Sequence, residues 1–241
     1  MAADMTGKDL FGKAFMDFYK GRPHALKLER DDGYVDEQDV SQYFNGYDDF
    51  PVCEKRALMH ARGRVLDIGV GAGRVALHLQ SKGFEVVGID ISENMLKICR
   101  DRGVKNLRRM SACDLRFKRN SFDTAIAFCN NFGLCGNMWS VMKMLERLHD
   151  IVRDGGVFLA SSINPIRTTN MAHLRYHDIN RARGRPPGQA TLRDMYRGMK
   201  GQWWDLLMVT RPELKELCDR TDWTIDRTYK GVMDVHVLRK I

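Results

Sequence analysis

Val65-Leu66-Asp67-Ile68-Gly69-Val70-Gly71-Ala72-Gly73 decides the reading of this 241-residue chain. An apolar run enters a turn of three alternating glycines, and the turn opens a helical segment at Arg74. Glycine bends the backbone through positive φ and leaves no Cβ to keep a ligand away. A second apolar run follows, Glu85 to Ile89, with Asp90 at its tip. An acid there can accept hydrogen bonds from ribose hydroxyls, so the pair of runs predicts a nucleotide-cofactor cradle.

Two cofactors compete for the motif. From Gly71 the segment Gly71-Ala72-Gly73-Arg74-Val75-Ala76 satisfies G-x-G-x-x-G/A, and Asp90 lies at about the spacing of roughly 20 expected for a dinucleotide site. From Asp67 it reads Asp-x-Gly-x-Gly-x-Gly, which resembles motif I of the class I S-adenosylmethionine-dependent methyltransferases. A pyrophosphate wants a positive helix N-terminus free of carboxylates. S-adenosylmethionine has no phosphate and carries an ammonium that Asp67 can hold directly or through water. Asp67 tips the balance to the methyl donor.

The rest of the chain fits that frame. Residues 1–60 form an N-terminal cap expected to be helical over 8–20 and 36–60, with Leu10, Phe11, Phe15 and Phe18 on one side. Residues 61–241 carry the catalytic fold. Strands over 64–68, 85–89, 107–111, 124–129 and 157–161 alternate with helices over 73–82, 93–102 and 138–152, predicting a mostly parallel α/β sheet with helices on both faces. A helix over 213–220 follows, then strand-like runs 224–229 and 235–238 as a hairpin. The family's sheet has seven strands, with an antiparallel last strand paired to the sixth, and the count and ending here are similar. Residues 164–205 are too long for an ordinary connection and read as an insertion or lid.

The resemblance implies roles residue by residue. Gly69, Gly71 and Gly73 lie under the methionine moiety, with Asp67 near its ammonium. Asp90 grips the ribose and Ile91 packs on the adenine. Asp114 accepts from the adenine amino group, with the Leu115 backbone beside the ring. Asn130 touches the methionine part and the substrate, and Tyr43 and Tyr47 close over that end. S-adenosylmethionine is the implied cofactor and S-adenosylhomocysteine the product.

Composition sets the outer limits. Hydrophobic residues at 44% and charged residues at 29% are ordinary for a globular protein. No apolar run reaches the roughly 18 residues of a membrane span, and Met1-Ala2-Ala3-Asp4 has no signal-like pattern, so a cytoplasmic protein without a membrane partner is expected. The six cysteines form no C-x-x-C pair, which predicts buried free thiols and no metal site.

The net charge of +8 is concentrated in the insertion, at Arg167, Arg175, Arg181, Arg183, Arg185, Arg193, Arg197 and Lys200. An Arg-rich lid on a polar or anionic small molecule, accepting the methyl on N or O, is the expectation. A tRNA or rRNA methyltransferase using the patch on phosphates is the alternative, and an inactive cofactor-binding regulator is a third reading. His173, Tyr176 and His177, beside Asp178, are the catalytic candidates, because histidine exchanges protons near neutral pH.

Overall fold

The computed structural model describes residues 9–241, so the Met1-Ala2-Ala3-Asp4 reading lies outside the described residues. Along the chain run α1 (Leu10–Tyr19), β1 (Leu26–Arg30), β2 (Val35–Gln38), α2 (Val52–Leu58), β3 (Arg64–Ile68), α3 (Arg74–Ser81), β4 (Glu85–Asp90), α4 (Glu93–Arg102), β5 (Asn106–Arg109) and β6 (Phe122–Ala127). Then come α5 (Met138–Ile151), β7 (Val152–Ser162), α6 (Met171–Ala182), β8 (Gln189–Tyr196), β9 (Met199–Leu207), α7 (Arg211–Asp219), β10 (Trp223–Tyr229) and β11 (Asp234–Lys240).

The seven-stranded sheet has the order β10-β11-β7-β6-β3-β4-β5. β3 pairs in parallel with both β4 and β6, and β11 runs antiparallel to β7 and to β10, as the terminal hairpin predicted. β3 alternates between two cores. Leu66 and Ile68 face Val141, Leu145 and Leu148 of α5, while Val65 joins Val75 and Leu79 of α3 on the other side. Each such side chain contributes about 1.5–3 kcal/mol on burial. Helix ends follow local chemistry: Ser92 Oγ accepts from Met95 N at 3.1 Å, and Thr210 forms a reciprocal capping box with Glu213. The chain passes from β3 outward to β4 and β5, then crosses back to β6 on the other side of β3. The strand order reverses there, and a crevice opens beyond the carboxyl ends of the strands.

The N-terminal segment differs from the helical expectation. α1 is present, with Leu10 and Phe15 fully buried, but β1 and β2 form a hairpin. β1 also pairs with β8, and β8 with β9, giving a second, four-stranded antiparallel sheet in the order β2-β1-β8-β9. β1, β2 and the insertion are thus one structure. A shared core of Leu10, Phe15, Leu26, Val40 and Tyr196 ties it to Met95 and Ile98 of α4. The run Leu-Lys-Leu-Glu-Arg of β1 has one of its two pairing partners, β8, far along the chain, so local periodicity does not reveal it.

The cysteine expectation also changes. Cys113 and Cys135 form a disulfide across 22 residues of sequence, and Cys53, Cys99, Cys129 and Cys218 are free. The loop after β5 meets the loop before α5, a proximity that no local spacing encodes.

Candidate functional site

The crevice at the ends of β3, β4, β6 and β7 opens into a cavity of about 1660 Å³ that continues to the inner face of the four-stranded sheet. Asp67, Gly69, Gly71, Asp90, Ile91, Asp114, Asn130 and Tyr43 line it. Gly69 and Gly71 both have positive φ, +68° and +55°. A Cβ on Gly71 would meet nothing closer than Gly69 O at 3.9 Å, so its bare face is open space, whereas Asn131 closes over Gly69 and donates to the carbonyls of Ile68 and Gly69 at 3.0 Å.

The two cradle acids have different tasks. Asp90 Oδ2 accepts from Gly71 N at 3.1 Å and Oδ1 from Ser92 N at 2.9 Å, so one carboxylate fixes both loops. Asp67 is buried and its Oδ2 has no partner. Burial pushes Asp67 up to about 7, against the pull of the nearby Arg74 guanidinium, and Asp90 up to about 6. An orphaned buried acceptor is costly unless a donor arrives. A cofactor ammonium is such a donor, and the open face over Gly71 leaves room for it.

Other expected contacts are placed differently. Gly73 does not line the cavity; with φ +83° it begins α3, and a Cβ there would press on Val104 Cγ2 at 2.8 Å. Leu115 sits in the core, its carbonyl accepting from Arg147 Nε at 2.8 Å. Tyr47 stacks on His78 of α3 at 3.9 Å, outside the cavity, because extended backbone at Asn45 and Gly46 separates its short 3-10 turn from that of Tyr43. Asp114 is exposed and paired with Arg116, which holds its carboxyl below the usual range. Asn130 is buried and its Oδ1 accepts from Ile163 N at 2.9 Å, leaving the side chain as a wall of the cavity.

His173, Tyr176 and His177 all reach the cavity from α6. Tyr176 is fully packed: its hydroxyl accepts from Thr191 N at 3.1 Å and the Arg30 guanidinium lies 4.1 Å over its ring. Arg30 also reaches His173 Nδ1 at 3.0 Å. An arginine only donates, so that nitrogen accepts and the His173 proton sits on Nε2. Burial holds His173 and His177 below the usual histidine range, helped by Arg30 and Arg181 respectively. Asp178 is spent on an exposed ion pair with Arg181 at 2.7 Å.

The Arg-rich lid is the main departure from expectation. Arg183 pairs with Asp31 at 2.9 Å, Arg193 with Glu29 at 2.7 Å, Arg197 with Asp17 at 3.0 Å and Lys200 with Glu29 at 2.9 Å. Arg181, Arg183 and Arg185 do not line the cavity. Four cations of the insertion thus pair with three acids of the N-terminal segment, which local composition hides, while Arg175 and Arg185 make no ion pair among the described residues. Residues that sequence reasoning missed enter instead: Arg30, Asn164, Asp194 and Trp204 line the cavity.

Residues 65–156 match the family described as "Methyltransferase domain". The chain is 28% identical to a putative methyltransferase of Geobacillus over 100 residues, 40% of each protein. It is 39% identical to the phosphatidylethanolamine N-methyltransferase of Cereibacter sphaeroides over 92 residues, 35% of this chain and 45% of that one. These matched stretches span less than half of the curated relatives' length. Over nearly the whole chain it resembles a crystal structure of a SAM-dependent methyltransferase from Bacteroides fragilis in complex with S-adenosyl-L-homocysteine, with a TM-score of 0.81, 26% identity, and 97% and 96% of the two chains covered. The family match and this structural neighbour indicate a class I S-adenosylmethionine-dependent methyltransferase. S-adenosylmethionine is the cofactor of that family, and the dehydrogenase reading of Gly71–Ala76 falls away.

Proposed function

We propose that this protein moves the methyl group of S-adenosylmethionine to a nucleophilic nitrogen or oxygen of a small polar molecule. The observation that carries this reading is the shared cavity. At about 1660 Å³ it exceeds the ~300–1,000 Å³ of a site for one drug-sized ligand, and its two ends are the cofactor cradle and the inner face of the four-stranded sheet.

The bound cofactor supplies a methyl already activated by its sulfonium charge. The chain's own work is alignment, which can supply several kcal/mol of the barrier. Asp90, rigidly held by Gly71 N and Ser92 N, presents its remaining lone pairs to ribose hydroxyls, and Asp67 meets the ammonium. Asn131 holds the glycine turn closed beneath them. Tyr176 and His173 stiffen the acceptor end through Arg30 and leave His177 as the imidazole of α6 open to proton transfer.

The ion pairs of Arg183, Arg193, Arg197 and Lys200 support a small acceptor over RNA, since these cations have carboxylate partners in place of phosphates. Incubation with labelled S-adenosylmethionine, a small-metabolite extract and bulk RNA tests the assignment. Label in the small-molecule fraction is expected. Label confined to RNA would overturn the acceptor class, and cofactor binding with no transfer to either pool would favour a regulatory protein.

A further inference from the structure

The charge left over in the cavity is negative. Each lysine and arginine lining it has a carboxylate within ion-pair distance: Arg30 with Asp32, Arg74 with Glu54, Arg109 with Glu93, Arg116 with Asp114, Lys143 with Glu146 and Arg167 with Asp234. Asp36, Asp67, Asp90, Asp194 and Asp205 also line it, and none makes an ion pair among the described residues. Asp67 and Asp90 belong to the cofactor end. Asp36, Asp194 and Asp205 belong to the four-stranded sheet.

Asp194 is the most deeply placed of these three, 5% exposed. Alternation along β8 puts Ala190, Leu192 and Asp194 on the inner face, with Leu28 opposite Asp194 on β1 and Trp204 opposite Leu192 on β9. Its Oδ1 accepts only a long bond from Trp204 Nε1 at 3.4 Å. Arg193 points the other way, pairing with Glu29 and lying 4.3 Å over Trp203. Asn164 Oδ1, which also lines the cavity, is a buried acceptor without a donor. A carboxylate set in an apolar and aromatic floor, in a cavity that also holds an unsatisfied carbonyl oxygen, asks for a ligand that brings a positive charge and N–H donors.

We infer that the methyl acceptor is a primary or secondary amine, its ammonium held by Asp194 against the Trp204 ring with an N–H directed to Asn164. This inference rests on the methyltransferase reading. The bound ammonium gives one proton to the Asp194 carboxylate. The freed nitrogen lone pair then forms the N–C bond while the C–S pair returns to sulfur, yielding S-adenosylhomocysteine and a protonated N-methylamine. Burial pushes Asp194 up to about 6, close enough to neutrality for it to accept that proton and pass it to solvent.

The test compares phenethylamine with phenylacetate, similar in shape and opposite in charge, by calorimetry on the full chain saturated with S-adenosylhomocysteine. The amine is expected to bind the wild type and the anion not to. Asp194→Asn, which keeps the side-chain shape, is expected to weaken the amine by about thirtyfold or more while retaining S-adenosylhomocysteine binding. Phenylacetate binding as tight as that of the amine overturns the inference, as does an unchanged amine affinity in the variant or no saturation by the amine up to ~10 mM. The wild-type comparison needs no variant to fold. Failure of S-adenosylhomocysteine to bind the wild type would overturn the methyltransferase reading itself, which separates the two failures.

Discussion

Asp90 Oδ2 accepts the amide hydrogen of Gly71 at 3.1 Å, so the acid at the tip of β4 holds the turn that follows β3. The residue expected to grip the ribose also builds the floor beneath it. Asp90→Ala should therefore lose two kinds of contact. A hydrogen bond to a charged group is worth about 1.5–3 kcal/mol, and we expect S-adenosylhomocysteine affinity to fall by at least that much with a measurable drop in Tm. Titration calorimetry and thermal melting check both; an unchanged affinity would remove Asp90 from the site.

The glycines of the turn should separate binding from folding. Gly71→Ala puts a methyl into the space over the cradle and should mainly abolish cofactor binding. Both sites have a positive φ that strains alanine, but Gly73→Ala also drives a methyl into Val104, so it should cost more stability than Gly71→Ala, about 1–3 kcal/mol. Melting temperature against calorimetry distinguishes them, and equal loss of Tm in both variants would contradict the assignment.

Burial raises Asp67 from 3.8 to about 7. A carboxyl whose folded pKa lies above its unfolded value contributes stability in full below the unfolded pKa and loses it as pH rises through the folded one. The Tm of ligand-free protein should therefore fall between about pH 4 and pH 7. A ligand ammonium beside Asp67 favours the carboxylate, so S-adenosylhomocysteine binding at about pH 6.5 should release a proton. Calorimetry in buffers of different ionisation enthalpy counts it; no release would argue against the Asp67 contact.

Arg74 and Glu54 form a bidentate pair at 2.7 and 2.9 Å with both side chains buried, 9% and 5% exposed. Glu54→Gln strands a buried guanidinium beneath the cradle. We expect a loss of about 3–5 kcal/mol in denaturant unfolding, and a variant within 1 kcal/mol of wild type would show the pair to be dispensable.

Alkylation under denaturing conditions should modify only Cys53, Cys99, Cys129 and Cys218 until a reductant frees Cys113 and Cys135. Mass spectrometry reads the difference directly, and modification of every cysteine without reductant would contradict the bond.

The cofactor half was legible because its signals are local. Asp67, the glycines and Asp90 lie within one strand-turn-helix-strand unit, and the apolar runs of β3, β4 and β6 announce their burial. The acceptor half was not. β1 reads as a polar loop until β8 lies beside it, and Arg183 reads as free charge until Asp31, 152 residues away, is brought to it. Asp194 sits in Leu-Arg-Asp-Met, which looks like alternating surface and becomes an inner face only when β1 and β9 flank it. Tyr47 failed for a related reason: an aromatic beside a binding turn and one packed on a helix look alike in sequence.

The four-stranded sheet also orders events in time. Glu29 and Lys200, which pair across it, are separated by 171 residues. During synthesis β1 and β2 emerge early and wait, while β3 to β7 can assemble the cofactor crevice from nearer partners. Closure over such a distance is slow, and hairpins awaiting a late partner leave apolar side chains such as Leu26 and Leu28 open to other chains. The β1–β2 hairpin therefore spends most of synthesis without β8 beside it, and that unpartnered edge is where aggregation during expression should begin.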